Sequence, residues 1–294
     1  MFRSIRKETA GILASPVFWI SVLGALVLML MQTYDVCGSM EEIETYNMLE
    51  MLFTKDRSWF LEEARLYREE LSLNMAGRQI IEFVTVVATL PFLVRFCGER
   101  NSGVMRTYIF REGRWRYYIS KMVSGIVCGG LVVCLAALCL QGLLCILVPS
   151  VSEAGPEKME VFQVLYNGKA PEVLMAGNIA GMFFYGMAAA VPGCVMAAFS
   201  RDVYLCLTLP FLCKYILGIF HTWLFTYLYM EEHELGDRAR GYLEALYDNG
   251  TLEAFLSMPG KGKYLQATAA AVLMAVAGTV IFSARMNRRR DLGV

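Results

Sequence analysis

The stretch CGERNSGVMRTYIFREGRWRYYISK, residues 97–121, decides how the chain folds. It lies between two long apolar runs and is strongly basic: Arg100, Arg106, Arg111, Arg114, Arg116 and Lys121, with Arg95 just ahead, stand against only Glu99 and Glu112. Asn101 and Ser102 are good helix N-caps and Gly113 is a good helix stop, so the residues between them are expected to form a helix of roughly 15 Å. That is too short to cross a bilayer. Met105, Tyr108 and Ile109 recur at i, i+3 and i+4 with Arg106 and Arg111 off that stripe, which predicts a short amphipathic helix resting at a membrane surface.

The composition agrees with a membrane. Of 294 residues, 56% are hydrophobic and 18% charged, the balance of an integral membrane protein. The formal net charge is +0, so no nucleic-acid partner is implied. Cys128, Cys134, Cys139, Cys145, Cys194, Cys206 and Cys213 fall inside apolar runs, where a thiol acts as a small hydrophobe. With no CxxC spacing, and only Cys37 in a polar segment away from the spans, neither a disulfide framework nor a metal site is expected.

A span needs about 20 mostly apolar residues. Six runs qualify: Pro16 to Met31, Ile80 to Phe96, Tyr118 to Val148, Leu174 to Phe199, Val203 to Met230, and Tyr264 to Ala284. An even number puts both termini on one side. The polar segments alternate in charge: residues 1–15, 95–121, 200–202 and 285–294 hold 15 Lys or Arg and 5 Asp or Glu, whereas 32–82, 149–172 and 231–263 hold 11 basic and 22 acidic residues. By the positive-inside rule the first group is cytoplasmic. The expected architecture is therefore an all-α integral membrane protein of six transmembrane helices, a single transmembrane domain over 1–294 with both termini in the cytoplasm of a plasma-membrane protein.

Three further segments carry expectations. Residues 1–15 place Phe2, Ile5, Thr9, Ile12 and Leu13 on one helical face among Arg3, Arg6 and Lys7, which suits a retained interfacial helix before Pro16 turns the chain into the first span. Residues 32–79 are expected to be an outer helical hairpin: Ile43, Tyr46, Met48, Leu49 and Leu52 mark one helix, and Phe60, Ala64, Tyr67 and Leu71 after Asp56 a second. Lys214 falls near mid-membrane, where an ammonium costs on the order of 2.5–3.5 kcal/mol, with His221 two turns further along its face. Lining a pathway or subunit interface, snorkelling or a structural hydrogen bond, and direct ligand contact all remain open for it. The EEHEL stretch at 231–235 lacks the HExxH spacing of a zinc site, and the similar segments VLYNGKAPEVL and ALYDNGTLEAFL each precede a span. No phosphate-binding GxxxxGK[ST] loop, GxSxG elbow or metal-ligand cluster is present, so the chain carries no enzyme signature and any energy source lies on another chain.

The motifs ERNSGVMRTYI at 99–109 and GRWRYYISK at 113–121, with SPVFW at 15–19 leading into the first span, resemble the membrane subunit of type 2 ATP-binding-cassette (ABC) exporters. The residues matching that pattern are Glu99, Ser102, Gly103, Arg106, Gly113, Arg116, Ser120 and Lys121. The resemblance implies that 97–117 is a coupling segment docked on a separate ATPase subunit through Glu99, Ser102, Gly103, Met105, Arg106, Tyr108, Ile109, Arg111, Gly113 and Arg116. It implies too that a second permease copy, identical or similar, completes the path, and that ATP and Mg bind the partner rather than this chain. A secondary transporter using Lys214 and His221, or a non-transporting scaffold or sensor, are the competing readings.

Overall fold

The computed structural model describes residues 2–37, 43–62, 64–74, 78–165, 168, 170–230 and 263–288. The chain is mostly helical. Among the described residues five helices are long and apolar enough to cross a membrane, or six if a bent pair counts as one. The bent pair is α1 (Phe2–Leu13) and α2 (Pro16–Leu30), which meet at 66°. Pro16 opens α2 where its missing N–H costs nothing, and the Ser15 side chain accepts from the Phe18 N–H. The other five are α6 (Arg78–Asn101), α8 (Arg114–Leu147), α10 (Pro171–Met196), α11 (Val203–Met230) and α12 (Lys263–Arg288). Such helices satisfy their own backbone polar groups, as hydrocarbon requires, and are compatible with a membrane location.

The middle of the bundle is α8 packed on α10, and the sequence shows why they approach so closely. A Cβ at Gly129 would lie 2.5 Å from that of Ala190, and one at Gly186 would lie 2.7 Å from the Gly129 carbonyl. Only glycine fits, and the gain is dispersion over the length of two helices. α6 and α2 pack on one side of this pair and α12 on α10 and α8; α11 leans on α6 and α10. At the basic end, Ser200 to Asp202 make a tight turn into α11, whose first N–H groups include Tyr204, capped by the Asp202 carboxylate at 3.0 Å.

Residues 33–73 depart from the helical hairpin expected of them. Thr33–Cys37 (β1) and Ile43–Asn47 (β2) pair antiparallel, with Thr33 opposite Asn47 and Cys37 opposite Ile43. Val36, Thr45 and the aromatic Tyr34 and Tyr46 suit a pleated surface better than a helix, and strand pairing decides the matter. The helix expected from Ile43 starts only at α3 (Met48–Thr54), where the Asn47 side chain accepts from the Leu49 N–H at 3.2 Å. The second expected helix divides into α4 (Arg57–Glu62) and α5 (Arg68–Leu73), separated by Arg65 at φ 51°. Residues 151–154 form a 3-10 turn and Pro156–Leu165 form α9. The 231–262 stretch, with EEHEL and the second repeat-like segment, lies outside the described residues.

Candidate functional site

The 97–121 stretch forms one short helix and two helix ends. α6 continues through Asn101, so neither Asn101 nor Ser102 serves as an N-cap; Gly103, at φ 75°, reverses the chain instead. α7 (Val104–Glu112) then runs to Gly113, at φ 83°, which leads directly into α8. These left-handed φ values are cheap for glycine and strained for other residues, so the two glycines fix the angles at both ends of α7.

α7 is amphipathic, and its apolar stripe points into the chain. Met105 is 3% exposed and Ile109 8%, with Tyr108 half-buried and stacked on Tyr117 of α8 at 6.2 Å between ring centroids. The opposite face is open: Phe110 is 79% exposed and Trp115, just past Gly113, 52%, with Val104 beside them. Ser102, Arg106, Arg111, Arg114 and Arg116 are exposed around these apolar groups. Of the residues that the resemblance marks, Met105, Tyr108 and Ile109 thus brace α7 against its own chain. Arg106, Arg111 and Arg116 face away, joined by Phe110 and Trp115, which the sequence pattern does not single out.

Glu99 turns inward. The Lys121 ammonium, 2% exposed, donates to Glu99 at 2.7 Å and to Glu8 of α1 at 2.5 Å. Tyr117 donates its hydroxyl proton to Glu99 at 2.9 Å, and the Arg95 guanidinium lies 3.3 Å from Glu99 and 3.6 Å from Glu8. Two carboxylates and two cations therefore close a cluster, buried at Lys121 and Glu8 and partly open at Arg95, in which the opposite charges are matched in number. Around it α1 grips the loop directly: Ser4 donates to Glu112 at the end of α7, Ser124 donates to the Ile5 carbonyl at 3.2 Å, and the Lys7 ammonium lies 5.7 Å from the Tyr108 ring centroid. Gly11 leaves the space that the Arg95 guanidinium fills. Sequence reasoning missed Glu8. The available signal was its position four residues before Ile12 on the apolar stripe of α1, where a lone carboxylate needs a partner.

Arg100 adds a second tie, donating to the Ala197 and Ser200 carbonyls at 2.8 and 2.9 Å and so joining α6 to the turn between α10 and α11. No family model matches the chain, and no curated protein matches it either. Among the described residues no group of three His, Cys, Asp or Glu side chains is placed to hold a metal.

Lys214 sits apart, toward the far end of the bundle. Its ammonium donates to the Ile81 carbonyl in the first turn of α6 and lies 3.4 Å from the Tyr185 hydroxyl of α10, which itself donates to Ile81 at 3.3 Å. The lysine thereby ties α11 to α6 and α10. The side chain of His221 lies outside the described residues.

Proposed function

We propose that the chain is the membrane subunit of an ATP-driven exporter of the type 2 ABC class, working as a pair and driven through α7 by a separate ATPase. In this reading the basic end of the bundle, with both termini, is cytoplasmic, and the spans form the substrate path together with a second permease copy. The observation that carries the reading is the two-faced mounting of α7. One face is locked to α1 and α8, and the other presents Phe110 and Trp115 among arginines.

A force applied to Phe110 has few soft places to dissipate. Behind α7 the Tyr108–Tyr117 stack and the Lys121 cluster join it to the base of the 34-residue α8 and to α1. α8 continues unbroken for about 50 Å at 1.5 Å per residue. Displacement of α7 is then carried as rigid-body motion of a helix that also contacts α10. The exposed arginines fit an acidic rim on the partner and the aromatics an apolar pocket within it, the usual division between hot spot and rim at an interface.

The test is co-purification of the detergent-solubilised chain with the ATPase encoded nearest to it. Phe110→Ala together with Arg111→Glu is expected to weaken capture at least tenfold while insertion and folding persist, because neither side chain packs within the chain. Undiminished capture, or failure of any phosphate-loop ATPase to associate, overturns the proposal.

A further inference from the structure

At the acidic end of the bundle, residues 64–74 lie across α8 and α10. Ser72 is fully buried, its hydroxyl donates to the Gln141 side-chain carbonyl of α8, and its backbone carbonyl accepts from Asn178 of α10 at 2.6 Å. Gln141 and Asn178 are themselves buried, and among long apolar helices such amides are costly unless paired. Gln141 stands 20 residues beyond Lys121, about 30 Å along α8 and close to one hydrocarbon thickness. Ser72 therefore closes the bundle at the level opposite the Lys121 cluster.

We infer that residues 64–74 are a removable lid over the Gln141–Asn178 seat, and this rests on the exporter reading only for what passes beneath it. Four features mark the segment as removable. α5 has six residues, fewer than a helix needs to be stable alone. Its fastening is largely polar: Glu69, 1% exposed, accepts from the Ser150 hydroxyl at 2.7 Å and the Val151 N–H at 3.0 Å, and the Arg68 N–H donates to the Pro149 carbonyl at 3.1 Å. Water replaces such bonds at a small net cost, in contrast to the interlocked glycines of α8 and α10. Part of its apolar packing, through Tyr67 and Leu73, goes to a small cluster with Val151, Phe162 and Leu174 that is separate from the main core; Leu71 belongs to the latter, with Ala64 and Leu66 partly buried against it. Finally Arg65, with its left-handed φ, stands at the start of the segment as a strained pivot.

Hydrogen exchange of the full chain in lipid nanodiscs tests the lid. Amides of residues 68–73 are expected to exchange at least a hundredfold faster than those of 128–140 and 180–190, and Glu69→Ala to speed them a further tenfold while the spans stay unchanged. Protection of α5 equal to that of the spans, or joint loss of protection in both, overturns the lid whether or not an ATPase is ever found. The functional arm bridges Ser72→Cys to Gln141→Cys with a short bis-methanethiosulfonate. Export is expected to fall more than tenfold, to recover on reduction, and to leave ATP hydrolysis running; unaltered export through the bridged chain removes the lid and leaves the α7 reading standing.

Discussion

At the scale of single residues, the lysine at 121 does more than any other charge in the chain. It brings α1, α6 and α8 to one point, and each of its two carboxylate partners is shielded from water. A buried group of this kind earns its stability only when complete, since removing one member leaves uncompensated charge that costs about 3–5 kcal/mol. Lys121→Met is therefore expected to lower the thermal unfolding midpoint of the detergent-solubilised chain steeply. Adding Glu8→Gln to that variant should restore part of the loss, with a coupling of roughly 1–3 kcal/mol in the double-mutant cycle. Strict additivity of the two changes would show that Glu8 and Lys121 do not act on one another. The sequence marks Lys121 only through the family pattern, as a cation closing a basic loop, and Glu8 reads as a stray acid in a basic tail. Burial, which turns them from solvated charges into a clamp, is a property of the packing of three helices far apart along the chain.

Among the elements, α7 and α5 differ in how far the sequence announces them. The i, i+3, i+4 stripe of Met105, Tyr108 and Ile109 and the stop at Gly113 make α7 readable, but periodicity defines a face without saying what covers it. The covering is the chain's own α8, which moves the outward role to Phe110 and Trp115. α5 is harder to read because its helix breaks where Arg68 and Glu69 find partners 81 or more positions away at residues 149–151. The lid also carries a titratable group. Burial, helped by Glu69, holds the Glu70 carboxyl above its ordinary range against the opposing Tyr67 backbone and Lys158 of α9. A carboxyl with a raised value binds its proton more readily in the docked state than when exposed. Docking is then fully supported below the ordinary carboxylate value and weakens as pH rises through the raised one. Protection of the 68–73 amides, corrected for intrinsic exchange, is expected to be greater at pH 5 than at pH 7, and Glu70→Gln should flatten the difference. An unchanged pH dependence in that variant would assign the effect to another group.

For the molecule as a whole, hydropathy and charge answer different questions. Hydropathy summed over about 20 residues picks out the long apolar helices, each of which satisfies its own backbone as hydrocarbon would require, and local exceptions such as Pro91, Pro192, Pro210 and Lys214 do not disturb the sum. α11 shows what the sum leaves out: over Val203–Phe220 only 11% is buried among the described residues, against 56% for α6, although the two are similarly apolar. Orientation rests on charge alone. One end gathers Arg95, Arg100, Arg106, Arg111 and Lys121 with Glu8, Glu99 and Glu112, and the other Asp35, Asp56, Glu69 and Glu153 with Arg57 and Arg68, an imbalance that the positive-inside rule reads as an orientation. Two exposed positions report on it directly, Ser102 between α6 and α7 and Asn74 after α5. In intact cells a membrane-impermeant maleimide should modify Asn74→Cys and spare Ser102→Cys until the membrane is opened, with labelling read peptide by peptide so that the native cysteines stay in place. The reverse pattern would put Phe110 and its arginines outside the cell, beyond the reach of any cytoplasmic ATPase, and would leave the cluster at Lys121 as a clamp with no motor to serve.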